Sequence, residues 1–571
     1  MEKIWKIKEK ISESGRKELE AYHPVIAQLL FDRGLDSVEK IEKFFDFSYE
    51  NDLTDPFVFS QMQVAMNRMK EAKEKNEKVA IFGDYDADGV TSTALLVENM
   101  EKLGFSDIIT YIPDRQTEGY GINVGAVDFL AKEKVDLVVT VDCGITSIDE
   151  AKKVKGLGMD LIITDHHNLP DKLPEALAII NPKNEKDNEF FRDLAGVGVA
   201  FKFIQALWKT FDPENVDQLK WSLDLVAIGS VADCVPLTNE NRILTRYGMV
   251  VLSKTRRMGL LEMFKVGKIV IDDNNVYDTQ KISFQIAPRI NAAGRVDHAS
   301  TSYNLIMEKD SEKGRKIALE VEANNIKRQK ITSEIVKEVK AIAEKLYKDK
   351  KYILAQNENW QMGILGLVAG KISGPFNKPT IVLQKQGSEL AGSLRSIPQV
   401  DVFKCLKECS DLLIKFGGHS QAAGMRILEK NLEKFEEKFS KIVEREIGDN
   451  DLRPEILIDC EIKASDINWD LLWELKKMEP FGEGNREPVF LSRDLIIEEV
   501  KLVGNGKKHL KFLLKGEEKS AKIFDAIAFG MGSLADQIKK NDQIEAVFNL
   551  NEDEWNGNKK IQLKIVDIRK K

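Results

Sequence analysis

Between about Lys78 and Asp233, short apolar runs typical of β-strands alternate with segments of helical periodicity. This alternation indicates a doubly wound α/β fold, in which a parallel sheet carries helices on both faces. The carboxyl ends of parallel strands lie at one edge of such a sheet, and ligands bind there. We therefore expect the functional residues of this region to collect at that edge.

Three of the strand-like runs are followed by residues that can bind metals. The run at 79–82 precedes Asp84, Asp86 and Asp88 of DYDADG, the run at 137–141 precedes Asp142, and the run at 161–163 precedes Asp165, His166 and His167. Oxygen ligands with an imidazole suit hard or borderline divalent ions such as Mn²⁺ or Mg²⁺. The sequence therefore predicts a metal centre where these segments meet.

The sequence DYDADG also fits the start of an EF-hand calcium loop, which has acidic residues at its first, third and fifth positions and glycine at the sixth. The twelfth position, where a bidentate glutamate should close the calcium shell, is Leu95. The preceding segment is strand-like and not helical. Both features disfavour the EF-hand interpretation.

The chain has 571 residues, which is too long for one hydrophobic core, so we expect about three or four domains. Its composition, 43% hydrophobic and 31% charged, is typical of a soluble globular protein, and no apolar run is long enough to span a bilayer. The N-terminal MEKIWKIKEK lacks the apolar core of a signal peptide, which favours a cytoplasmic location. The net charge of -8 gives no overall basic excess but is compatible with a local basic channel.

The five cysteines are odd in number and scattered, which predicts free thiols in a reducing compartment. Cys405 and Cys409 lie one helical turn apart on an apolar face, so we interpret them as core residues. The glycine-rich segments GVGVAF and GILGLVAG lack the dinucleotide-binding fingerprint, and no Walker motif is present. We therefore expect hydrolysis without ATP or NAD.

The chain divides into five segments by pattern. Residues 1–50 are expected to form a helical lead-in, residues 51–310 the first α/β domain, and residues 311–350 a long connecting helix with heptad-like apolar spacing and no proline. A second, smaller α/β domain is expected over residues 351–450. Residues 451–571 contain five or six short strand-like runs with turn signals such as GNG and GMG. This pattern predicts a small closed β-barrel, most economically an OB-fold.

Four motifs resemble those of the DHH phosphoesterase superfamily: DYDADG, TVDCG around Asp142, TDHH at 164–167 and SVADCVPL at 230–237. The run FGGHSQAAGM at 416–425 resembles the glycine-rich motif of the companion DHHA1 domain. EPFGEGNREPVF at 479–490 resembles the entry to the OB domain of the RecJ exonucleases, which are specific for single-stranded DNA. The resemblance spans most of residues 78–425 and implies a DHH domain, a connecting helix, a DHHA1 domain and an OB-fold.

The resemblance implies phosphodiester hydrolysis with two divalent ions, Mn²⁺ or Mg²⁺. The metal shell assigned on this basis comprises Asp84, Asp86, Asp88, Asp142, His166 and Asp233. Asp142 and Asp88 are the expected bridges, and which aspartates of DYDADG ligate directly stays open. Asp165 is expected to orient a ligating imidazole. The expected catalytic residues are Asp142, His166 and His167, with His167 facing the scissile phosphate; its alternative role is that of a packed structural histidine.

The resemblance also implies a set of substrate-binding residues: Arg115, Arg289, Arg295, Ser393, Arg395, Ser396 and His419. Arginine suits bidentate contact with phosphate better than lysine does. For each arginine the alternative is a surface or interdomain ion pair. His298 is interpreted as structural.

We therefore expect an exonuclease that degrades single-stranded DNA from the 5′ end and releases 5′-mononucleotides in recombination and repair. The expected partners are single-stranded DNA, a helicase and a single-strand-binding protein, without a membrane, and a monomer is the default state. One alternative is a phosphodiesterase for cyclic dinucleotides or very short RNA, or a pyrophosphatase, which would need no C-terminal barrel. The other is a non-catalytic single-strand-binding scaffold, disfavoured because every expected Asp and His is present.

Overall fold

A computed structural model of the chain describes residues 3–271, 276–448, 451–517, 522–555 and 558–571. The chain forms two compact units. The larger unit comprises Thr54–Val235 and Tyr247–Arg453, and the smaller comprises Met1–Leu53, Pro236–Arg246 and Pro454–Lys571.

The larger unit contains the predicted parallel sheet. Its five strands are ordered Ile108–Tyr111, Val79–Gly83, Leu137–Val141, Asp160–Thr164 and Ala178–Ile180, and every neighbouring pair is parallel. Three of these strands, Val79–Gly83, Leu137–Val141 and Ala178–Ile180, are buried along their whole length, which explains their apolar sequence. The helices of this region are Met62–Lys75, Ala87–Lys102, Val124–Lys132, Ile148–Gly156, Gly196–Phe211 and Leu223–Ala232.

A series of helices leads from this sheet to the second one. They are Asn239–Ser253, Met258–Gly267, Thr279–Lys281, a π-helical turn Ile282–Ile286, Ala287–Val296 and Ser300–Met307. The predicted connecting helix follows as Ser311–Leu346, with 36 residues and an Asp310 cap that accepts from the Lys313 N–H. Its last turns place Val339 and Ala343 in the core of the second sheet. In the described ranges no helix is both long and apolar enough to cross a membrane.

The second sheet of the larger unit has five strands in the order Leu413–Gly418, Ala422–Leu428, Glu389–Arg395, Thr380–Gln386 and Ile353–Asn357. Only its last pair is parallel. The accompanying helices are Met362–Phe376, Val402–Glu408 and Leu432–Ile447. Cys405 and Cys409 are buried free thiols in this core, so their interpretation as core residues is confirmed.

The smaller unit contains the predicted C-terminal barrel. Five strands follow one another around it in the order Phe490–Val503, His509–Gly516, Ile523–Ala528, Asn558–Lys570 and Gln543–Trp555. The last of them pairs back with the first, which closes the barrel. The short strand Cys460–Glu461 pairs in parallel with the barrel strand Phe490–Val503. The helix Trp469–Lys477 lies between these two strands in the sequence. The predicted fold class, a parallel α/β domain, a long helix, a smaller α/β domain and a barrel, is confirmed.

The N-terminal segment belongs to the same unit as the barrel. Its strand Ile4–Ile7 pairs in parallel with Glu455–Ile458. Ile26 and Leu30 share one hydrophobic core with Phe490 of the barrel. The pattern of residues 1–50 predicted a helical segment but not this strand or this packing. The helices of the segment are Glu13–Glu18, Pro24–Phe31, Val38–Phe45 and Tyr49–Asp52.

Replacement of Arg242 by methionine is expected to destabilise the smaller unit. Arg242 is 2% exposed, its guanidinium lies 3.9 Å from the centre of the Phe44 ring, and it donates to the carbonyl oxygens of Met478 and Glu479 at 3.0 Å. Methionine would remove one donor from each carbonyl, while Met478 still accepts from Asn485 and Glu479 from Arg246. Each charged hydrogen bond that is lost contributes about 1.5–3 kcal/mol. We expect the free energy of unfolding of this unit to fall by roughly 3 kcal/mol in urea titrations. The exposed Arg486→Met is the control, and equal stability of the two variants would contradict this account.

Candidate metal centre

Three neighbouring strands of the parallel sheet end side by side. Val79–Gly83, Leu137–Val141 and Asp160–Thr164 are paired so that their last residues are partners in the ladder. The residue that follows each strand is a buried aspartate: Asp84, Asp142 and Asp165. The edge of the sheet therefore carries the row of acidic residues that the sequence predicted there.

The aspartates of DYDADG surround the N-terminus of the helix Ala87–Lys102. Asp86 caps this helix, and its Oδ1 accepts from the Asp88 N–H at 3.0 Å. The Asp88 carboxylate in turn accepts from the backbone N–H groups of Gly196 at 2.7 Å and Val197 at 2.8 Å, at the start of another helix. Helix N-termini favour negative charge. Two of them therefore support carboxylates that would otherwise be costly to bury.

His166 lies among the carboxylates. Its Nε2 is 3.2 Å from Asp142 Oδ1, 3.7 Å from Asp233 Oδ2 and 4.0 Å from Asp88 Oδ2. A second group of potential ligand atoms, all within 4.8 Å of one another, comes from Asp84, Asp86 and Asp142. The structure thus brings together all six residues that the resemblance assigned to the metal shell.

The donor atoms of this cluster fit a cation. Within the described part of the chain, three of its buried atoms have no hydrogen-bond partner: Asp84 Oδ1, Asp142 Oδ1 and His166 Nε2. Unsatisfied buried polar atoms are costly, so their convergence at one place needs a compensating ligand. Carboxylate oxygens with one imidazole form a donor set suited to Mn²⁺ or Mg²⁺.

The pKa shifts of the cluster also favour a bound divalent cation. Burial, followed by the charge of Asp86, raises the pKa of Asp84 to about 8 and that of Asp233 to about 7. Burial and neighbouring carboxylates also hold the pKa of Asp142 well above its ordinary value. Burial lowers the pKa of His166 to about 3, so its imidazole is neutral and offers a lone pair. A divalent cation would relieve the repulsion among these carboxylates.

Asp165 has a different environment from its neighbours. Its Oδ1 accepts from the backbone N–H groups of His166 and His167, and its Oδ2 accepts from the Ile145 N–H at 2.9 Å. The same Oδ1 lies 2.8 Å from His167 Nδ1. Burial opposes the charge of His167, but the hydrogen bond and charge of Asp165 raise the pKa of His167 to about 9. The imidazole that Asp165 orients through its side chain is therefore His167, which is a cation at neutral pH.

Two residues at the centre were missed by the sequence reasoning. The Tyr120 hydroxyl lies 2.9 Å from His167 Nδ1 and donates to the Asp142 carbonyl oxygen at 3.2 Å. Gly196 approaches Asp142 so closely that a Cβ atom there would lie 2.5 Å from Asp142 Oδ1. The only available signal for Tyr120 was its place between two glycines, and the need for Gly196 appears only in three dimensions.

Two of the arginines assigned to substrate binding, Arg115 and Arg395, act electrostatically on a third, Arg295. Arg115 stacks on Tyr85, 4.0 Å from the ring centre, and its buried Nε has no partner among the described residues. Arg295 donates to the Gly363 carbonyl oxygen at 3.0 Å. Burial lowers the pKa of Arg295 to about 9, and the charges of Arg115 and Arg395 contribute. This concentration of positive charge suits an anion such as a phosphate.

The other residues assigned to substrate binding have separate contacts. Arg289 forms an ion pair with Glu322, with Nε and Oε2 2.5 Å apart, which is the alternative considered for each arginine. Ser393 accepts from Arg395 at 2.9 Å, whereas Ser396 donates to the Val400 carbonyl oxygen at 2.6 Å. The exposed His419 lies in the turn between the strands Leu413–Gly418 and Ala422–Leu428. His298 Nδ1 lies 2.8 Å from the Ser300 hydroxyl, as a structural histidine would.

Comparison with protein families gives three matches along the chain. The model for the DHH family, N-terminal domain, matches residues 78–230, the DHHA1 domain matches residues 349–445, and the RecJ OB domain matches residues 458–567. These matches occur in the order predicted from the motifs.

Comparison with individual proteins extends the similarity to the whole chain. The single-stranded-DNA-specific exonuclease RecJ of Bacillus subtilis is 36% identical, covering 99% of this chain and 70% of that protein. The RecJ of Haemophilus influenzae is 31% identical, covering 95% of each chain. The crystal structure of RecJ from Thermus thermophilus in complex with Mn²⁺ matches with a TM-score of 0.83 and 26% identity, covering 100% of this chain and 80% of that one. The chain therefore belongs to the RecJ family of single-stranded-DNA-specific exonucleases.

Proposed function

We propose that this protein is a metal-dependent exonuclease that degrades single-stranded DNA from its 5′ end and releases 5′-mononucleotides during recombination and repair. The observation that carries the proposal is the convergence of five aspartates and His166 at the edge of the parallel sheet. The arginines of the same unit supply positive charge for a DNA backbone. Family membership supports the strand specificity, and the resemblance supports the direction.

The six residues assigned from the resemblance would hold two Mn²⁺ or Mg²⁺ ions, and Asp88 and Asp142 would be the ligands that both ions share. When bound, the ions would activate water and stabilise the leaving oxygen. The Tyr120 hydroxyl donates to the carbonyl oxygen of Asp142, and the carboxylate of Asp142 lies next to His166. Gly196 leaves the space that this carboxylate occupies.

We assign His167 to the scissile phosphate. Its cationic form can donate a hydrogen bond to a phosphate oxygen, because Asp165 binds the opposite side of the ring through Nδ1. Asp165 itself acts as a positioning residue, since the described hydrogen bonds of its carboxylate involve His166, His167 and Ile145. Arg115, Arg295 and Arg395 would bind the phosphates next to the cleaved one.

The C-terminal barrel is proposed to bind the strand further from the cleaved end. Phe529 is 57% exposed on it and contacts His509, with ring centres 5.4 Å apart. Exposed aromatic side chains on OB-folds stack against bases without sequence preference. A phosphodiesterase for small substrates would not need such a barrel, so this role favours a long DNA strand as the substrate.

Further proposals concern how the chain is organised and what it works with. We propose domain boundaries at residues 50, 310, 350 and 450. The family matches support those at 350 and 450, and the start of the helix Ser311–Leu346 supports the one at 310. We also propose a cytoplasmic monomer that cooperates with a helicase and a single-strand-binding protein. Sedimentation of the purified protein tests the oligomeric state, and a dimer at micromolar concentration would contradict it.

The proposed activity is tested with DNA labelled at either end. A 5′ label on single-stranded DNA should be released as mononucleotide in the first turnovers, whereas a 3′ label should remain on progressively shorter strands. Blunt duplex of the same sequence should resist, and cleavage should weaken as salt rises, because backbone contacts release counterions. Early release of the 3′ label, or equal cleavage of duplex, would contradict the proposal.

Arg395→Ala is expected to weaken substrate binding more than it slows the chemical step. Arg395 is mostly buried, which lowers the pKa of its guanidinium, and its donors contact Ser393 and the Leu394 carbonyl oxygen. Loss of one charged hydrogen bond to phosphate costs about 1.5–3 kcal/mol, so KM should rise roughly tenfold to a hundredfold. Steady-state kinetics on single-stranded DNA measure this. Arg426→Ala, on the neighbouring strand, is the control, and an unchanged KM in Arg395→Ala would remove it from the substrate site.

A further inference from the structure

A cavity of about 560 Å³ lies in the larger unit and contains none of the residues assigned to the metal centre or to substrate binding. It is lined by the C-terminal turn of the helix Ala87–Lys102, by Trp221, and by the loop before Met258–Gly267. Its volume is in the range of small-molecule sites. The apolar side chains of Val251 and Ile306 form part of its wall.

The floor of the cavity is a fixed charged network. Arg257 binds Glu98 at 2.7 Å and Asp224 at 3.0 Å, and Thr255 donates to Asp224 at 2.8 Å. Burial disfavours the charge of Arg257, but the two carboxylates raise its pKa. Lys102 also binds Glu98, at 2.7 Å, so two cations and two carboxylates neutralise one another, and the floor is polar without attracting a further ion.

The rim of the cavity combines an aromatic surface, two cations and Glu308, whose Oε1 accepts from the backbone N–H groups of Lys309 and Asp310. Trp221 is 49% exposed, and the guanidinium of Arg256 lies 4.3 Å from the centre of its ring. Arg256 and Lys309 are exposed, and neither has a carboxylate within ion-pair distance among the described residues. A half-exposed indole beside two unneutralised cations suits a ligand that joins a planar ring to an anionic group.

Two helices join this cavity to the metal centre. The helix Ala87–Lys102 carries Asp88 in its first turn and Glu98 near its other end. The helix Leu223–Ala232 begins next to the cavity at Asp224 and is capped by Asp233. Nine residues of helix span about 14 Å, so the cavity is a separate site.

We propose that this cavity binds a mononucleotide, with the base against the exposed part of Trp221 and the phosphate against Arg256 and Lys309. The choice of a mononucleotide, among planar anions, rests on the proposed function, whose product it is. The cavity would then hold product molecules away from the metal centre that releases them.

The test is equilibrium dialysis of the full chain against radiolabelled deoxyadenosine monophosphate in the presence of a chelator, so that binding does not depend on catalytic metal. Saturable binding is expected. Trp221→Ala should weaken it about tenfold, because a base stacked on an aromatic side chain loses that contact. Trp473→Ala, which removes a similarly exposed tryptophan from the smaller unit, should bind like the wild type. Inorganic phosphate and deoxyadenosine should each compete more weakly than the nucleotide.

Several outcomes would overturn the proposal: no saturable binding, equal binding by Trp221→Ala, or competition by inorganic phosphate as strong as that by the nucleotide. Loss of binding in Asp142→Asn but not in Trp221→Ala would place the nucleotide at the metal centre instead. Trp221→Ala should cleave DNA at the wild-type rate. A wild-type protein that binds the nucleotide at Trp221 but cleaves no DNA would refute the proposed function while leaving the site established.

Discussion

Asp142→Asn is expected to reduce cleavage of single-stranded DNA by about a thousandfold or more, because it removes a proposed bridging ligand whose metal contributes several kcal/mol to the transition state. Asparagine is the appropriate replacement. Asp142 has a left-handed backbone with φ of 61°, which asparagine tolerates and alanine does not. The amide also fills the space beside Gly196 that the carboxylate occupies.

The binding of DNA should change little in Asp142→Asn, since Asp142 is not among the proposed DNA contacts. Single-turnover cleavage and fluorescence anisotropy on the same labelled strand separate the two effects. Asp149→Asn is the control, because Asp149 lies in the first turn of the next helix with an 87% exposed side chain. Cleavage by Asp142→Asn at the wild-type rate would show that the metal assignment is wrong.

Asp165→Asn is expected to lower kcat by roughly tenfold to a hundredfold, the usual range for a group that orients metal-site residues. The asparagine amide cannot accept all the hydrogen bonds that Asp165 receives from His166, His167 and Ile145. It also lacks the negative charge that raises the pKa of His167 to about 9.

The pH profile separates this role from a general loss of structure. In the wild type the hydrogen bond and charge of Asp165 raise the pKa of His167, so activity that needs the cation persists to higher pH than it would without Asp165. In Asp165→Asn the pKa of His167 should fall towards the ordinary value of about 6.5. The alkaline limb of the kcat profile should therefore move to lower pH. The exposed Asp171→Asn is the control, and an alkaline limb that stays in place in Asp165→Asn would exclude His167 as a cationic donor.

The metal centre was largely predictable because its signal is local. A buried strand has a continuous apolar sequence, and the residue that follows it must lie at the sheet edge, so the sequence alone could place Asp84 and Asp142 together. The barrel was predictable for a similar reason, since each of its strands is bounded by turn residues. His166 follows a strand in the same way, whereas Asp233 needed the family resemblance, because nothing local brings the end of Leu223–Ala232 to the sheet.

Other features depend on contacts between distant parts of the chain. The pairing of Ile4–Ile7 with Glu455–Ile458 joins segments that are far apart in the sequence, and no pattern within either strand encodes its partner. Arg289, which the resemblance assigns to substrate binding, pairs with Glu322 of the connecting helix, and no pattern around Arg289 encodes that contact. Such pairings follow from how helices and strands pack and not from the residues next to them.

The most direct test of the central claim is a metal titration of the chelator-stripped protein by calorimetry, with cleavage of 5′-labelled single-stranded DNA measured at each addition of Mn²⁺. We expect about two Mn²⁺ ions per chain to bind the wild type, with cleavage appearing as the sites fill. Asp142→Asn should bind Mn²⁺ at least about tenfold more weakly and stay inactive. Full cleavage by the stripped protein without added metal, or unchanged Mn²⁺ binding by Asp142→Asn, would contradict the account.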